Sequence, residues 1–402
     1  MRERIRDFFL SQAQLPLETA ILLIAGLMAT LTGIFLFPVG TGALPYYENG
    51  LYGLFLFIFA LQMLTLGKTP FGDVSRSIPV IVIGIGIAIT GIVTCFIPDL
   101  LSHIPRLLLF ICFAPGGALL LLQMIFSKDK LRNWLRLGSL FRHLIFSCAA
   151  VYLLSILIGW LVLMSPKIDV AITALFVLTF GIAILYLAVV LRKVYLTYPE
   201  AETKDPGTGI LSTDKMLLLV IGLFMVVLGA LLIPVSLGQL PFAGSAQLGL
   251  LMVIFSIQML ALGSTPIGAF PRSRAMILVG FVFAGLGIIS AVIPGILVGP
   301  LTLLIGLLNL FGGAISLGKM VFSKNQTPAG SPQTVLSVLR RLFITQLALA
   351  LLSIMFGTSM LIPSLLPGLL VGVILFANGC LLLYLIYILI SLDKVIKQLS
   401  QA

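Results

Sequence analysis

Apolar runs of about 17–24 residues follow one another from Ile21 to Ile390, broken by short segments rich in glycine, proline and basic residues. A helix needs about 20 residues to cross a hydrocarbon core roughly 30 Å thick, so each run is long enough to span. A membrane β-barrel would instead alternate weakly over short segments. The pattern predicts an all-α integral membrane protein of twelve spans, at 20–38, 50–66, 78–97, 104–126, 143–164, 168–191, 216–235, 246–262, 275–293, 299–322, 342–362 and 366–391. Ahead of them, residues 1–15 put Ile5, Phe8 and Phe9 on one helical face and Arg2, Arg4 and Arg6 near the other. That segment reads either as a short interfacial helix or as a flexible tail. It carries no recognisable cleavable signal peptide.

Shifting the chain by 196 residues on itself exposes an internal repeat, with 14 of 25 positions identical between 53–77 and 249–273. The same shift matches Gly26 with Gly222, Gly33 with Gly229, Pro38 with Pro234 and Gly116-Gly117 with Gly312-Gly313. After a two-residue change the shift becomes 198 and matches Arg142 with Arg340, Gly159 with Gly357 and Tyr186 with Tyr384. The expected organisation is a first six-helix repeat at 16–194, a polar linker at 195–214 and a second six-helix repeat at 215–402. An even number of spans per copy sends both copies into the membrane in the same direction, as parallel repeats.

Each copy also repeats within itself. Helices turn near Pro38, Pro98, Pro166, Pro234, Pro294 and Pro363, with glycine before most of these prolines and again in the returning helix. Small residues let helix backbones approach in lipid, where apolar side chains gain nothing by leaving water. This predicts six tight αα-hairpins closed at the outer turns. The spacing of Gly26, Gly33 and Pro38, of Gly84, Gly91 and Pro98, and of Gly222, Gly229 and Pro234 resembles the HdeD-type acid-resistance membrane proteins, here as a tandem duplication. The resemblance implies a multi-spanning protein of the envelope-stress response without known catalytic chemistry, and transfers no functional residues.

Composition agrees, with 60% hydrophobic and only 9% charged residues. The net charge of +11 is a matter of topology: with the N-terminus inside, 22 of the 24 Lys and Arg fall on the cytoplasmic side, and only Arg106 and Lys167 fall outside. The positive-inside rule then places both termini in the cytoplasm of a cell with a cytoplasmic (inner) membrane, with anionic lipid headgroups as partners. Nucleic acid is excluded as a partner.

Chemistry is scarce. The thirteen Asp and Glu all map to loops, termini or span ends, which disfavours proton coupling, Glu18 at the cytoplasmic mouth being the one conceivable exception. Two histidines and four scattered cysteines support neither haem, metal site nor disulfide framework, so no cofactor is expected. No nucleophile–base pair is recognisable, and the expectation is that the protein is not an enzyme.

The duplicated loop QMLxLGxTPxGxxxRS carries the candidate site: Gln62, Thr69 and Arg76, repeated as Gln258, Thr265 and Arg272. Gly67 and Gly263 fit left-handed helix caps, and Thr before Pro fits the start of a following helical turn. The loop is either retained geometry with the glutamines bonded across helices, a lipid- or partner-docking site through the arginines, or a translocation gate. Gln123, Asn309, Gln346 and Asn378 are expected to form interhelical hydrogen bonds.

Two functions compete. The first is a non-catalytic scaffold or accessory subunit of a membrane complex. The second is a 6+6 transporter, similar to the major facilitator superfamily, for a neutral or lipidic solute. A polar, water-filled cavity separates the second from the first.

Overall fold

The computed structural model describes residues 15–74, 76–127, 134, 138–164, 168–201, 211–265, 268–269, 273–322, 333–362 and 365–401. Residues 1–14 of the expected interfacial segment and 202–210 of the linker lie outside them. Among the described residues twelve helices are long and apolar enough to cross a membrane. They are α1 (Leu17–Gly40), α2 (Glu48–Leu66), α3 (Ile78–Phe96), α4 (Ile104–Phe126), α5 (Ser139–Met164), α6 (Val170–Thr197), α7 (Thr213–Ser236), α8 (Gly244–Leu262), α9 (Arg274–Val292), α10 (Val298–Phe322), α11 (Gln333–Leu361) and α12 (Gly368–Gln401). Each predicted span falls on one of them.

The chain forms two compact units that do not follow the repeat boundary. One is built on α1–α6 together with α8 and α9. The other is built on α7 and α10–α12.

Glycine decides which helices touch. In the first unit a Cβ on Gly33 would meet the Leu178 backbone N at 2.5 Å, joining α1 to α6. A Cβ on Gly53 would meet the Gly91 carbonyl at 2.5 Å, joining α2 to α3, and one on Gly159 would meet the Ala114 N at 2.6 Å, joining α5 to α4. Gly249 and Gly287 join α8 to α9 in the same way, each 2.5 Å from the other's carbonyl once a Cβ is added. In the second unit Gly229 opposes the Gly372 carbonyl at 2.7 Å between α7 and α12, and Gly357 opposes the Leu310 N at 2.6 Å between α11 and α10.

These pairs differ from the hairpins expected at the outer turns. The helices joined at Pro38 (α1, α2) and Pro98 (α3, α4) make few contacts with each other, whereas α2–α3, α4–α5 and α1–α6 pack closely. The reason lies in spacing: glycines seven apart, such as Gly84 and Gly91, share one face two turns long, and that face points at the helix whose own small residues complement it. The turns at Pro38 and Pro98 only route the chain, whereas the helices on either side of Pro166 (α5, α6) and of Pro363 (α11, α12) do pack against each other as hairpins.

Where α2 and α3 meet α8 and α9, the packing leaves no room. A Cβ on Gly50 would strike the Ala291 carbonyl oxygen. The Ser245 hydroxyl donates to the Ser290 carbonyl at 2.7 Å, the Ser290 hydroxyl donates to the Ser245 carbonyl at 2.8 Å, and the Cys95 thiol lies 3.7 Å from the Ala246 carbonyl. Large apolar side chains face outward instead, among them Ile78, Val82, Phe126 and Phe146, as a lipid-facing surface requires.

Candidate functional site

The duplicated loop folds as a two-residue β-hairpin. Strands β1 (Lys68–Thr69) and β2 (Gly72–Asp73) pair antiparallel, Lys68 opposite Asp73 and Thr69 opposite Gly72. β3 (Ser264–Thr265) and β4 (Gly268–Ala269) pair in the same register. Gly67 and Gly263 end α2 and α8 in the left-handed conformation, at φ 68° and 65°, as the sequence led one to expect. Thr69-Pro70 does not start a helical turn. The Thr69 hydroxyl accepts from the Phe71 N–H at 3.2 Å and donates to the Gly72 carbonyl at 2.7 Å, closing the reversal locally. Gly72, at φ 140°, supplies the backbone freedom that lets the chain turn back so soon. The Gln123 amide of α4 clamps the turn, donating to the Phe71 carbonyl at 2.9 Å.

The predicted site residues separate. Arg76 is buried, 6% exposed, and donates to the Leu211 carbonyl at 3.3 Å, so its guanidinium serves the interior of the fold. Arg272 lies outside the described residues, and only the backbone of Thr265 is described. Gln258 is half-buried in α8. Of the remaining amides, Asn309 does bond across helices, accepting from the Ser353 hydroxyl at 3.3 Å between α10 and α11. Gln62 and Thr69, by contrast, face a cavity.

That cavity lies inside the first six helices and has a volume of about 410 Å³. Sites for drug-sized ligands run roughly 300–1,000 Å³, so it is large enough for a small molecule. Its walls are apolar, from α1, α2, α4, α5 and α6, with Leu22, Ile58, Phe59, Leu144 and Ile184 among them. Gly117 in α4, close against Ser155 in α5, keeps these helices together around it. Its polar groups gather at one end. Glu18, in the first turn of α1, forms an ion pair with Lys68 of β1 and accepts from the Tyr195 hydroxyl of α6 at 2.6 Å. The Glu18 side chain is 14% exposed and that of Lys68 31%, so the pair is partly withdrawn from solvent. Asp73, Thr69, Gln62 and Tyr152 complete this end.

A second cavity of about 120 Å³ lies toward the other end of the same helices. Tyr46, Glu48 and Tyr52 line its polar side. Glu48 pairs with Arg106 at 3.2 Å and accepts from the Tyr52 hydroxyl. Close by in the loop ahead of α2, burial holds the Tyr47 phenol above its ordinary range, and its hydroxyl donates to the Thr94 carbonyl at 3.4 Å. Phe55, Phe113 and Phe180 line both cavities.

Sequence reasoning missed this arrangement because Glu18, Lys68 and Tyr195 are far apart in the chain. One signal was present: the two copies of the duplicated loop differ at Lys68, which is Ser264 in the second, and at Asp73, which is Ala269. Those are the charged positions of the cavity mouth. Among the described residues no cluster of His, Cys, Asp and Glu is suited to a metal ion.

No family model, no curated protein and no solved structure matches the chain. Its class therefore rests on its own helices: it is a polytopic helical membrane protein.

Proposed function

We propose that the protein is a non-catalytic membrane protein that takes a neutral or amphipathic small molecule into the chamber of its first six helices. The observation that supports this reading is the chamber, which joins apolar walls to a polar end in a volume of about 410 Å³. Polar groups withdrawn into a membrane protein are costly unless they have a partner or a purpose. Here Gln62 faces the space without a hydrogen bond to any described residue, and Thr69, Tyr152 and the Glu18–Lys68 pair stand beside it. An amphiphile would leave its tail among the aromatic and aliphatic walls and exchange head-group hydration for these groups. The distribution of lysine and arginine supports an orientation with the Glu18 end at the cytoplasmic face of an inner membrane, both termini on that side and anionic lipids around the basic loops.

The test is native mass spectrometry of the protein released from mild detergent. The parent should carry a small-molecule adduct, and Val151→Trp, which fills the chamber from α5, should lose it while melting with the parent. An adduct retained by the filled variant would overturn the proposal.

One observation favours a second reading. The contact of α2 and α3 with α8 and α9 is closely packed through Gly50, Ser245 and Ser290, as expected of a rigid scaffold or accessory subunit of HdeD type. Stoichiometric co-purification of another membrane subunit, with no small-molecule adduct, would support it instead.

A further inference from the structure

We propose that the two cavities are halves of one transmembrane conduit running through the first six helices alone, closed at mid-depth by Phe113. This extends the binding reading above from occupancy to passage. Phe55, Phe113 and Phe180 are the wall shared by both cavities. Phe113 sits between the other two rings, edge-on to Phe55 at 5.3 Å and to Phe180 at 5.7 Å. It is 3% exposed, and α2, α4 and α6 each contribute one ring to the barrier. Apolar constrictions of this kind exclude water and ions by dewetting.

Each mouth carries the same device. At one end a carboxylate (Glu18) holds a cation (Lys68) and a tyrosine hydroxyl (Tyr195). At the other, Glu48 holds Arg106 and Tyr52. Both trios tie together helices or strands that flank a cavity: α1, β1 and α6 at one, and α2 and α4 at the other. Each ion pair is satisfied by its own partners, and Asp73 beside the first leaves that mouth one carboxylate in excess, which suits a neutral or zwitterionic amphiphile better than an anion.

The second copy lacks the plug and the outer trio, although its inner end keeps a carboxylate at Asp214 and an ion pair, Lys215 with Asp393, between α7 and α12. The positions of the plug become Leu251, Asn309 and Asn378; those of the first trio become Asp214, Ser264 and Asp393; those of the second become Gly244, Leu248 and Thr302. Asn309 instead bonds to Ser353 and to the Ile305 carbonyl, filling its own interior. Many glycines that pack helices, such as Gly33 with Gly229, Gly53 with Gly249 and Gly159 with Gly357, are kept in both copies, although Gly50 becomes Ala246, whereas the plug and the outer trio are confined to the first. That difference marks the first copy as the one that conducts.

The experiment uses sealed membrane vesicles of the two orientations and a membrane-impermeant cationic methanethiosulfonate. Cys112 and Cys148 line the larger cavity, so both are first changed to Ala to give the blank; in that background Gln62→Cys reports on the larger cavity and Val162→Cys on the smaller. With Phe113 in place, each reporter should react from one side only, and from opposite sides. Phe113→Ala should abolish that sidedness, so that each reacts from both. Should Phe113→Ala fail to accumulate, Phe113→Leu takes its place and should give the same loss in part. The conduit is overturned if the folded variants keep full sidedness, or if both reporters react from both sides with Phe113 intact. Because labelling needs no ligand, a lost adduct and a lost gate are separate outcomes.

Discussion

The backbone N–H of Tyr47 donates to the carbonyl of Val292 at 2.9 Å, and 196 residues further along the N–H of Ala243 donates to the carbonyl of Phe96, also at 2.9 Å. Each partner of the first bond is the repeat equivalent of a partner of the second, with donor and acceptor exchanged between copies. The two bonds bracket the glycine contacts of α2, α3, α8 and α9. If those contacts hold the unit together, Gly53→Ala should lower stability by about 1–3 kcal/mol through overpacking. Gly86, on the same helix pair but with nothing within 4 Å of an added Cβ, is the matched control. Gly86→Ala should fall within about 0.5 kcal/mol of the parent. Reversible unfolding in mixed micelles measures both, and equal losses at the two positions would contradict the assignment.

The Glu18 mouth should behave as a coupled trio. Lys68→Met leaves the carboxylate with Tyr195 as its remaining described partner, and Tyr195→Phe removes one hydrogen bond. A fully buried pair loses roughly 3–5 kcal/mol when broken, and this partly exposed one should lose about 1–2. The Tyr195→Phe loss should be about 1 kcal/mol. A double-mutant cycle between Glu18→Gln and Lys68→Met should return a non-zero coupling; strict additivity would mean the pair contributes nothing.

Arg76 should prove structural. With its guanidinium on the Leu211 carbonyl, Arg76→Ala should unfold at lower temperature without shedding bound lipid, and Arg76→Lys should recover only part of the loss because a lysine cannot reproduce the planar donor fork. Loss of lipid adducts in native mass spectra at unchanged melting would restore a headgroup role.

Gln123→Leu should release the hairpin turn from α4. Interhelical polar contacts in membranes average about 0.6 kcal/mol, and this single bond to the Phe71 carbonyl should cost about that much. Proteolysis between Pro70 and Asp73 should quicken in the variant; an unchanged rate would remove the clamp.

Much of the fold was legible because lipid imposes a simple rule: each stretch that crosses must be apolar and must satisfy its own backbone, and both demands show in a single sequence. The left-handed caps at Gly67 and Gly263 were legible for a similar reason, being local. The partner of each glycine face was not. Gly33 meeting Leu178 depends on which other face has a complementary dent, and nothing near residue 33 records that. The same limit hid Glu18, Lys68 and Tyr195, each ordinary as a charged or aromatic group at a span end, and it hid the plug, since phenylalanine at 55, 113 or 180 looks like any lipid-facing residue until three helices bring the rings together. Thr69-Pro70 misled for a different reason. The pair serves a helix start or a tight reversal equally well, and Gly72 two residues later tips it toward reversal.

The membership of α8 and α9 in the first unit sets a timetable for biogenesis. Ribosomes deliver helices in order, so α2 and α3 enter the bilayer while the helices that cover their glycine face are still unmade. Until Val292 has emerged, the Tyr47 N–H has no carbonyl to meet, and the Phe96 carbonyl waits for Ala243. Over that interval the nascent chain offers the insertion machinery an incomplete surface, open to mispairing with any small-faced helix nearby. Cutting the gene in the linker would therefore yield two fragments whose success depends on meeting each other, the first being unable to finish itself.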